Sequence, residues 1–210
     1  YRRQRQMCIR DRSLKIDPLY DRQPEKINHN TLLELMIDLY EAGDYAQGIT
    51  LAEKWVEQQN VSRQEDIYPL VYYYIAYGYQ NLHGKENTEQ TNHYMTVYVT
   101  LGENAVADGC FPHRTEDYIV LKSLAEDYYL DMVYYYLGCL LYDRRAYGEA
   151  IADYEEAARR YPDFPTVHRN LALAYYNVKK QPQRAYEEME KAFALDETCL
   201  LYTSPSPRDR

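Results

Sequence analysis

Two segments of this chain, headed by Leu137 and Leu171, repeat each other at a spacing of 34 residues, and no other feature restricts the fold as strongly. The first reads Tyr134-x2-Leu137-Gly138-x2-Leu141, then Ala150-x3-Tyr154-x2-Ala157, then Pro162. The second reads His168-x2-Leu171-Ala172-x2-Tyr175, then Ala185-x3-Met189-x2-Ala192. Within each segment, large apolar residues return every three or four positions, which is the period of a helix face. Each unit is therefore expected to be two antiparallel helices. Gly138, Ala150, Ala172 and Ala185 stand where those helices must approach closely, since a larger side chain there would overpack the contact.

Pro162 is placed to stop the second helix of its unit and Pro165 to start the next. The later unit carries one extra residue, expected in its turn at Lys179 to Pro182, and has Glu197 beyond its last helix. Units of this spacing and pattern resemble tetratricopeptide repeats. The resemblance implies an all-α solenoid of antiparallel helix pairs, in which the first helix of each pair lines a concave side.

Earlier units are more degenerate but keep the period. Leu32, Leu35, Met36 and Leu39 form one apolar stripe, Gly43-Asp44-Tyr45 a turn, and Ile49, Ala52, Trp55 and Val56 a second stripe. Pro69 opens a helix carrying Tyr72, Ile75, Ala76 and Tyr79, which Gly84 ends, and a polar helix follows from about Glu86 to Ala105. The interval from Ile75 to Leu137 is 62 residues, 28 more than one repeat. A helix over roughly Arg114 to Asp127, behind a turn at Asp108, Gly109 and Pro112, fills that excess. The reading is one helical repeat domain over residues 13–198, with about four helix pairs and one inserted helix. Leu195-Asp196 is read as the repeat's final turn, after which a further helix would begin.

Both ends differ in character from the middle. Cys199 to Asp209 reads as a translation of a transposon adapter used in sequencing libraries, and Met7 to Arg12 as a translation of its opposite strand. Residues 1–12 and 199–210 are accordingly expected to be adapter-derived and non-native. The whole chain has 24 basic and 33 acidic residues, for a net charge of −9. Without the two ends it has 17 and 31, for −14 over 186 residues. A surface of that sign repels phosphate backbones and anionic lipid, so neither nucleic acid nor membrane is an expected partner. No run of about 18 apolar residues occurs. Cys110 and Cys139, the two cysteines outside the ends, make no disulfide framework, and a cytoplasmic location is expected.

Three runs carry a narrower likeness: Cys110-Phe111-Pro112-His113-Arg114, the segment Tyr136 to Arg144, and Phe164 to Tyr175. They resemble a bacterial family in which a β-rich N-terminal domain of unknown function precedes a helical repeat region. That likeness implies that the β-rich domain, with an implied role on carbohydrate, is absent here.

The sequence holds no Gly-rich phosphate loop, no His-Glu-x-x-His helix and no Gly-x-Ser-x-Gly elbow, so no catalytic residue, cofactor or metal is assigned. Cys110 and His113 have half the spacing of a zinc site, but a closed site takes four ligands. His168 stands where such repeats place a packing aromatic, and Glu155-Glu156 and Glu187-Glu188 fall on polar helix faces. Asn60-Val61-Ser62 is a formal glycosylation sequon and is discounted.

Tyrosine is the informative excess, at 26 residues, with Tyr72-Tyr73-Tyr74 and Tyr134-Tyr135-Tyr136 opening corresponding helices. A helix sends three consecutive residues in different directions, so only some are expected in the core. Tyr73, Tyr77 and Gln80, then Tyr135, Cys139 and Tyr142, then Arg169, Leu173 and Tyr176 with Asn177 recur at i, i+4 and i+7 on the first helices. Either they form a partner-binding groove, of which Tyr73, Tyr77, Tyr135, Tyr142, Arg169, Tyr176 and Asn177 are the expected contacts, or they pack between helices. The Lys/Asn pattern that clamps a peptide's terminal carboxylate in some such repeats is missing. The leading reading is a non-enzymatic interaction scaffold for a protein, a peptide or its own missing N-terminal domain. The alternative is an accessory helical region of a carbohydrate-active enzyme.

Overall fold

A computed structural model describes residues 27–59, 67–82, 88–105, 110–127 and 130–196. The expected adapter-derived ends, Gly84 and the turn at Asp108 and Gly109 lie outside the described residues. Those described are helical, with no strand among them. In chain order the helices are α1 (His29–Glu41), α2 (Tyr45–Gln58), α3 (Pro69–Asn81), α4 (Thr88–Asn104), α5 (Thr115–Asp127), α6 (Met132–Asp143), α7 (Tyr147–Arg160), α8 (Pro165–Ala174, continued by a π-helical turn Tyr175–Lys179) and α9 (Pro182–Leu195). They fall into two compact units, one ending at Cys110 and one beginning at Phe111. Each is all-α and built from packed helix pairs: α1–α2 and α3–α4 in the first, α6–α7 and α8–α9 in the second, with α5 against α6.

Local chemistry starts and stops these helices. Asn28 caps α1 by accepting from the Thr31 amide at 2.9 Å, and Asp44 caps α2 by accepting from the Gln47 amide at 3.1 Å. Proline occupies the first turn of α3, α8 and α9, where its missing N–H is no loss. The turns leaving α1 and α6 are the same motif. In α1–α2, the Gly43 amide donates to Tyr40 O and the Asp44 amide to Leu39 O; in α6–α7, the Arg145 amide donates to Tyr142 O and the Ala146 amide to Leu141 O. The motif needs a left-handed residue, which is Gly43 at φ 81° in the first case and Arg145 at φ 64° in the second.

The extra residue of the last repeat is not in the turn where the sequence suggested it. It widens the end of α8 into the π-helical turn, whose last capping bond runs from the Gln181 amide to Tyr175 O at 3.0 Å. Lys180, at φ 54°, then takes the left-handed position that Arg145 holds one repeat earlier.

Small residues set the approach of paired helices. Ala150 is fully buried, and a Cβ added at Gly138 would lie 2.5 Å from the Tyr154 ring of α7. In the first unit, a Cβ at Gly102 would lie 2.9 Å from the Tyr73 ring. One stripe differs from its expectation. In α1 the buried residues are Leu32, Leu33, Met36, Leu39 and Tyr40, whereas Leu35 is exposed. The buried arc is rotated because Tyr40 turns toward α3, where its hydroxyl donates to Tyr74 O at 2.9 Å.

Replacing Gly138 with alanine should destabilise the fold by about 1–3 kcal/mol through overpacking against Tyr154. Gly148→Ala, where nothing lies within 4 Å, should change stability by less than about 1 kcal/mol. Urea denaturation of both variants checks this, and equal midpoints would contradict the assigned contact.

Candidate functional site

In the first unit the two expected contacts are structural. Tyr73 is wholly buried and its hydroxyl donates to Glu103 Oε1 at 2.8 Å. Tyr77 is half-buried against Tyr40 and Tyr45, with ring centroids 6.1 and 6.5 Å away. All three tyrosines of the first triplet are core, which corrects the expectation that only some would be. The reason is that α3 packs against α1, α2 and α4, which enclose its first two turns so that every residue from Pro69 to Ala76 is buried.

In the second unit the expected residues divide. Tyr135 is buried, with its ring 5.0 Å edge-on to Phe164 and 6.4 Å from Tyr154. Tyr134 is half-buried beneath the Arg160 guanidinium, which lies 4.6 Å above its ring. Tyr142 is half-buried, edge-on to Tyr147 at 5.0 Å, with its hydroxyl hydrogen-bonded to the Asn177 side chain. Tyr176 is 63% exposed and Asn177 is exposed. Arg169 is half-buried; its Nη2 donates to Asn170 Oδ1 at 3.4 Å, and its Nε is buried with no acceptor. The accessible set is therefore Tyr142, Arg169, Tyr176 and Asn177, joined by Leu173 at 40% exposure.

Beneath this face, Cys139 sits at the junction of α6, α7 and α8. Burial pushes its thiol above the ordinary range, against hydrogen bonds from Tyr154, Tyr135 and Asn170 and the charge of Arg169. The thiol is thus a packed polar contact and a poor nucleophile at neutral pH.

Three features were missed by sequence reasoning. Glu53 Oε1 accepts from both Tyr79 and Tyr98, at 2.7 and 2.9 Å, across three helices. Desolvation first, and then the Glu53 hydrogen bond, raise both hydroxyls far above the usual phenol range. His168 is buried as a packed ring, as expected, but both its nitrogens are engaged: Nδ1 lies 2.6 Å from Glu188 Oε2 and Nε2 lies 2.8 Å from Pro162 O. The ring is thus held from two sides, by the Glu188 carboxylate and the Pro162 carbonyl. Lastly, Glu155 accepts from the Tyr175 hydroxyl at 2.5 Å and from Arg184, and Glu156 is held by Arg159 and Arg160. The Glu53, His168 and Glu155 contacts gave no signal in the spacing of one helix, because each partner arrives from another helix or turn; Glu156 pairs with Arg159 and Arg160 at i+3 and i+4 on α7 itself.

A cleft of about 500 Å³ lies over His168, lined also by Pro162, Glu188, Lys191 and Leu195. Its polar groups are already paired, His168 and Lys191 with Glu188, and the Glu155 and Arg159 that also line it with Arg184 and Glu156. Cys110 is buried while His113 is exposed, with its Nδ1 3.2 Å from Phe111 O. No group of three His, Cys, Asp or Glu suited to a metal occurs among the described residues. No helix among them is long and apolar enough to cross a membrane.

The family model for the TPR (tetratricopeptide) repeat matches residues 138–178, so the α6–α8 segment is a tetratricopeptide repeat. No curated protein matches the chain. Among solved structures, the chain is similar to MamA, residue 41 to the end, from Desulfovibrio magneticus RS-1, at 18% identity over 94% of each chain with a TM-score of 0.39. A second MamA crystal structure is 20% identical over 92% of this chain and 90% of that one, with a TM-score of 0.35.

Asp153, half-buried on α7, is raised to about 6, chiefly by desolvation and further by Glu149 and Glu156, with Lys122 opposing. A carboxyl raised in the fold favours the protonated form. Its contribution is present at pH 4 and is lost as pH rises through about 6. Asp153→Asn should therefore stabilise the protein at pH 7 by about 1–2 kcal/mol after allowance for solvent screening, and by little at pH 4. Thermal melts at both pH values check this, and an equal gain at the two would contradict the burial assignment.

Proposed function

We propose that this chain is a non-enzymatic interaction scaffold whose partner is a protein or peptide. Repeats of the tetratricopeptide class generally mediate protein–protein interaction, and the helix face of residues 138–178 offers side chains that the fold does not consume. The carrying observation is the division within one repeating pattern. Tyr135 is packed inside, whereas Tyr176, seven residues beyond Arg169, the equivalent of Tyr135 in the next repeat, stands 63% exposed on the same stripe, next in sequence to Asn177. An exposed tyrosine next to an arginine is the composition of binding hot spots, since the ring buries area while its hydroxyl still bonds.

Tyr142, Arg169, Tyr176 and Asn177 are the contacts in this reading, and Tyr135 packs in the core of the same unit. Residues 13–198 are the natural chain in this reading, and 1–12 and 199–210 are not. Two free cysteines, Cys110 and Cys139, suit a reducing compartment and support a cytoplasmic location. The acidic composition argues against nucleic acid and membrane as partners.

Selection from a random peptide display library tests the reading. Peptides selected on the whole chain should bind Tyr176→Ala at least fivefold more weakly, while that variant melts within about 0.5 kcal/mol of the parent. Tyr135→Ala should instead cost about 3–5 kcal/mol of stability, as aromatic truncations in cores do. Selection of no peptide, or unchanged binding by Tyr176→Ala, would overturn the proposal.

A further inference from the structure

Glu53 is half-buried on α2, and its two oxygens are used unequally. Oε1 accepts from the Tyr79 and Tyr98 hydroxyls at 2.7 and 2.9 Å, whereas Oε2 has no hydrogen bond among the described residues. No lysine, arginine or histidine among them pairs with this carboxylate. By contrast, the half-buried Glu156 is held by Arg159 and Arg160, and Glu188 by Lys191. Burial chiefly, and then the bond to Glu53, raise the Tyr79 and Tyr98 hydroxyls far above the usual phenol range, so both stay neutral donors at neutral pH. A carboxylate drawn partly out of water with only neutral partners is short of a cation.

The second observation is the set of rings beside that carboxylate. Tyr79 of α3 stacks on Tyr94 and on Tyr98 of α4, with centroids 5.4 and 6.0 Å away and planes inclined by 18° and 15°. The Tyr94 hydroxyl is near enough to that of Tyr79 to raise it further. Tyr94 is 38% exposed, and Val97, one turn along α4, is 39% exposed. His93 stands beside Tyr94 at 5.7 Å, inclined by 61° to its ring. An apolar shelf bearing aromatic faces thus adjoins a carboxylate without a cation. Glu57, exposed one turn further along α2, adds negative charge on the same side, where it acts on Tyr98. All of these residues belong to the first unit, whereas Tyr142, Arg169, Tyr176 and Asn177 belong to the second.

Aromatic faces and a carboxylate together select an organic cation. A metal ion fits poorly, since no group of three His, Cys, Asp or Glu suited to one occurs among the described residues. A guanidinium binds a carboxylate best through both oxygens, and here Oε1 is already taken by two phenols. A quaternary ammonium has no N–H to give the oxygen that remains. A primary ammonium is a compact charge with N–H donors, and one free oxygen suffices for it. We infer that Glu53 and the Tyr79–Tyr94–Tyr98 rings form a binding site for a primary alkylammonium ion, which donates an N–H to Glu53 Oε2 and lays its methylene chain on Tyr94 and Val97. The net charge of −9 draws such ions toward the chain. A free di- or polyamine and the lysine side chain of a protein both carry this group. The site goes beyond the interaction reading above and does not depend on it.

Saturation-transfer NMR titration of the whole chain with n-butylammonium tests the inference. Binding should saturate, and tetramethylammonium should bind more weakly. Glu53→Gln keeps an acceptor for both phenols and removes the charge, so it should weaken butylammonium about tenfold or more with the helices intact by circular dichroism. Tyr94→Leu keeps an apolar side chain and removes the aromatic face, which should weaken binding about twofold to fivefold. Because Tyr94 is partly exposed, this second variant decides the matter if Glu53→Gln fails to fold. Glu187→Gln, at an exposed carboxylate of α9, should leave binding unchanged, which separates the site from general attraction to an acidic chain. Putrescine and a capped Gly-Lys-Gly peptide then distinguish the two sources. A larger Glu53-dependent affinity for putrescine assigns the site to free amines, and a larger one for the peptide assigns it to a protein lysine. No saturable binding, tetramethylammonium bound as tightly as butylammonium, or affinity unchanged in both Glu53→Gln and Tyr94→Leu would overturn the inference and leave the scaffold reading standing.

Discussion

A tyrosine buried between helices brings a hydroxyl that must find an acceptor, and much of this structure follows from how that demand is met. In the first unit Tyr40 donates to the Tyr74 carbonyl, Tyr73 to Glu103, and Tyr79 and Tyr98 share Glu53. These bonds run between helices, so each fixes the rotation of one helix against its neighbour as well as its distance. Glycine and alanine at the crossing points leave room for the rings, as Gly102 does for Tyr73 and Gly138 for Tyr154. Ring and gap are therefore two halves of one device.

The second unit uses the same device and then departs from it. Tyr154 hydrogen-bonds with Cys139 and Asn170, and Tyr175 donates to Glu155, so α7 is tied to α6 and to the end of α8. His168 adds a third tie, from α8 to Glu188 of α9 and to the Pro162 carbonyl. With those rings and their acceptors consumed inside, the side chains of Tyr176, Asn177 and Leu173 are left on the surface, and Arg169 lies half-buried at its edge. The candidate site is thus what remains of the repeat's aromatic pattern after packing has been satisfied.

The helix pairs were legible in the sequence because they depend on local signals: the 34-residue spacing, the small residues at crossings, and Pro69 and Pro165 at helix starts. What was not legible depends on partners far along the chain. Leu35 belonged to an apolar stripe by spacing alone, yet Leu33 is buried in its place because Tyr40 rotates the helix toward α3. Tyr73 and Tyr135 open the same stripe that Tyr176 closes seven residues on, and the presence of Glu103, or of Phe164 and Tyr154, alongside is what places the first two in the core. The extra residue of the last repeat was visible as a count, but its placement in a π turn is a backbone choice that composition does not encode. Likewise, the left-handed geometry of Arg145 and Lys180 could not be read from residues that ordinarily avoid it.

Tyrosine ionisation measures the central claim directly. Burial raises Tyr72 to about 12 and raises Tyr40, Tyr79, Tyr98, Tyr154 and Tyr175 as well, each chiefly by desolvation. A phenol raised in the fold stabilises it below the ordinary value of about 10, and that contribution is lost as pH climbs beyond. Absorbance at the phenolate band, followed together with far-ultraviolet circular dichroism from pH 8 to 13, should show two groups. Some tyrosines should ionise with the helices intact, and the raised ones should ionise only as helical signal collapses, in one cooperative step. Ionisation of all tyrosines in a single broad transition near pH 10, with the helices unchanged, would contradict the account.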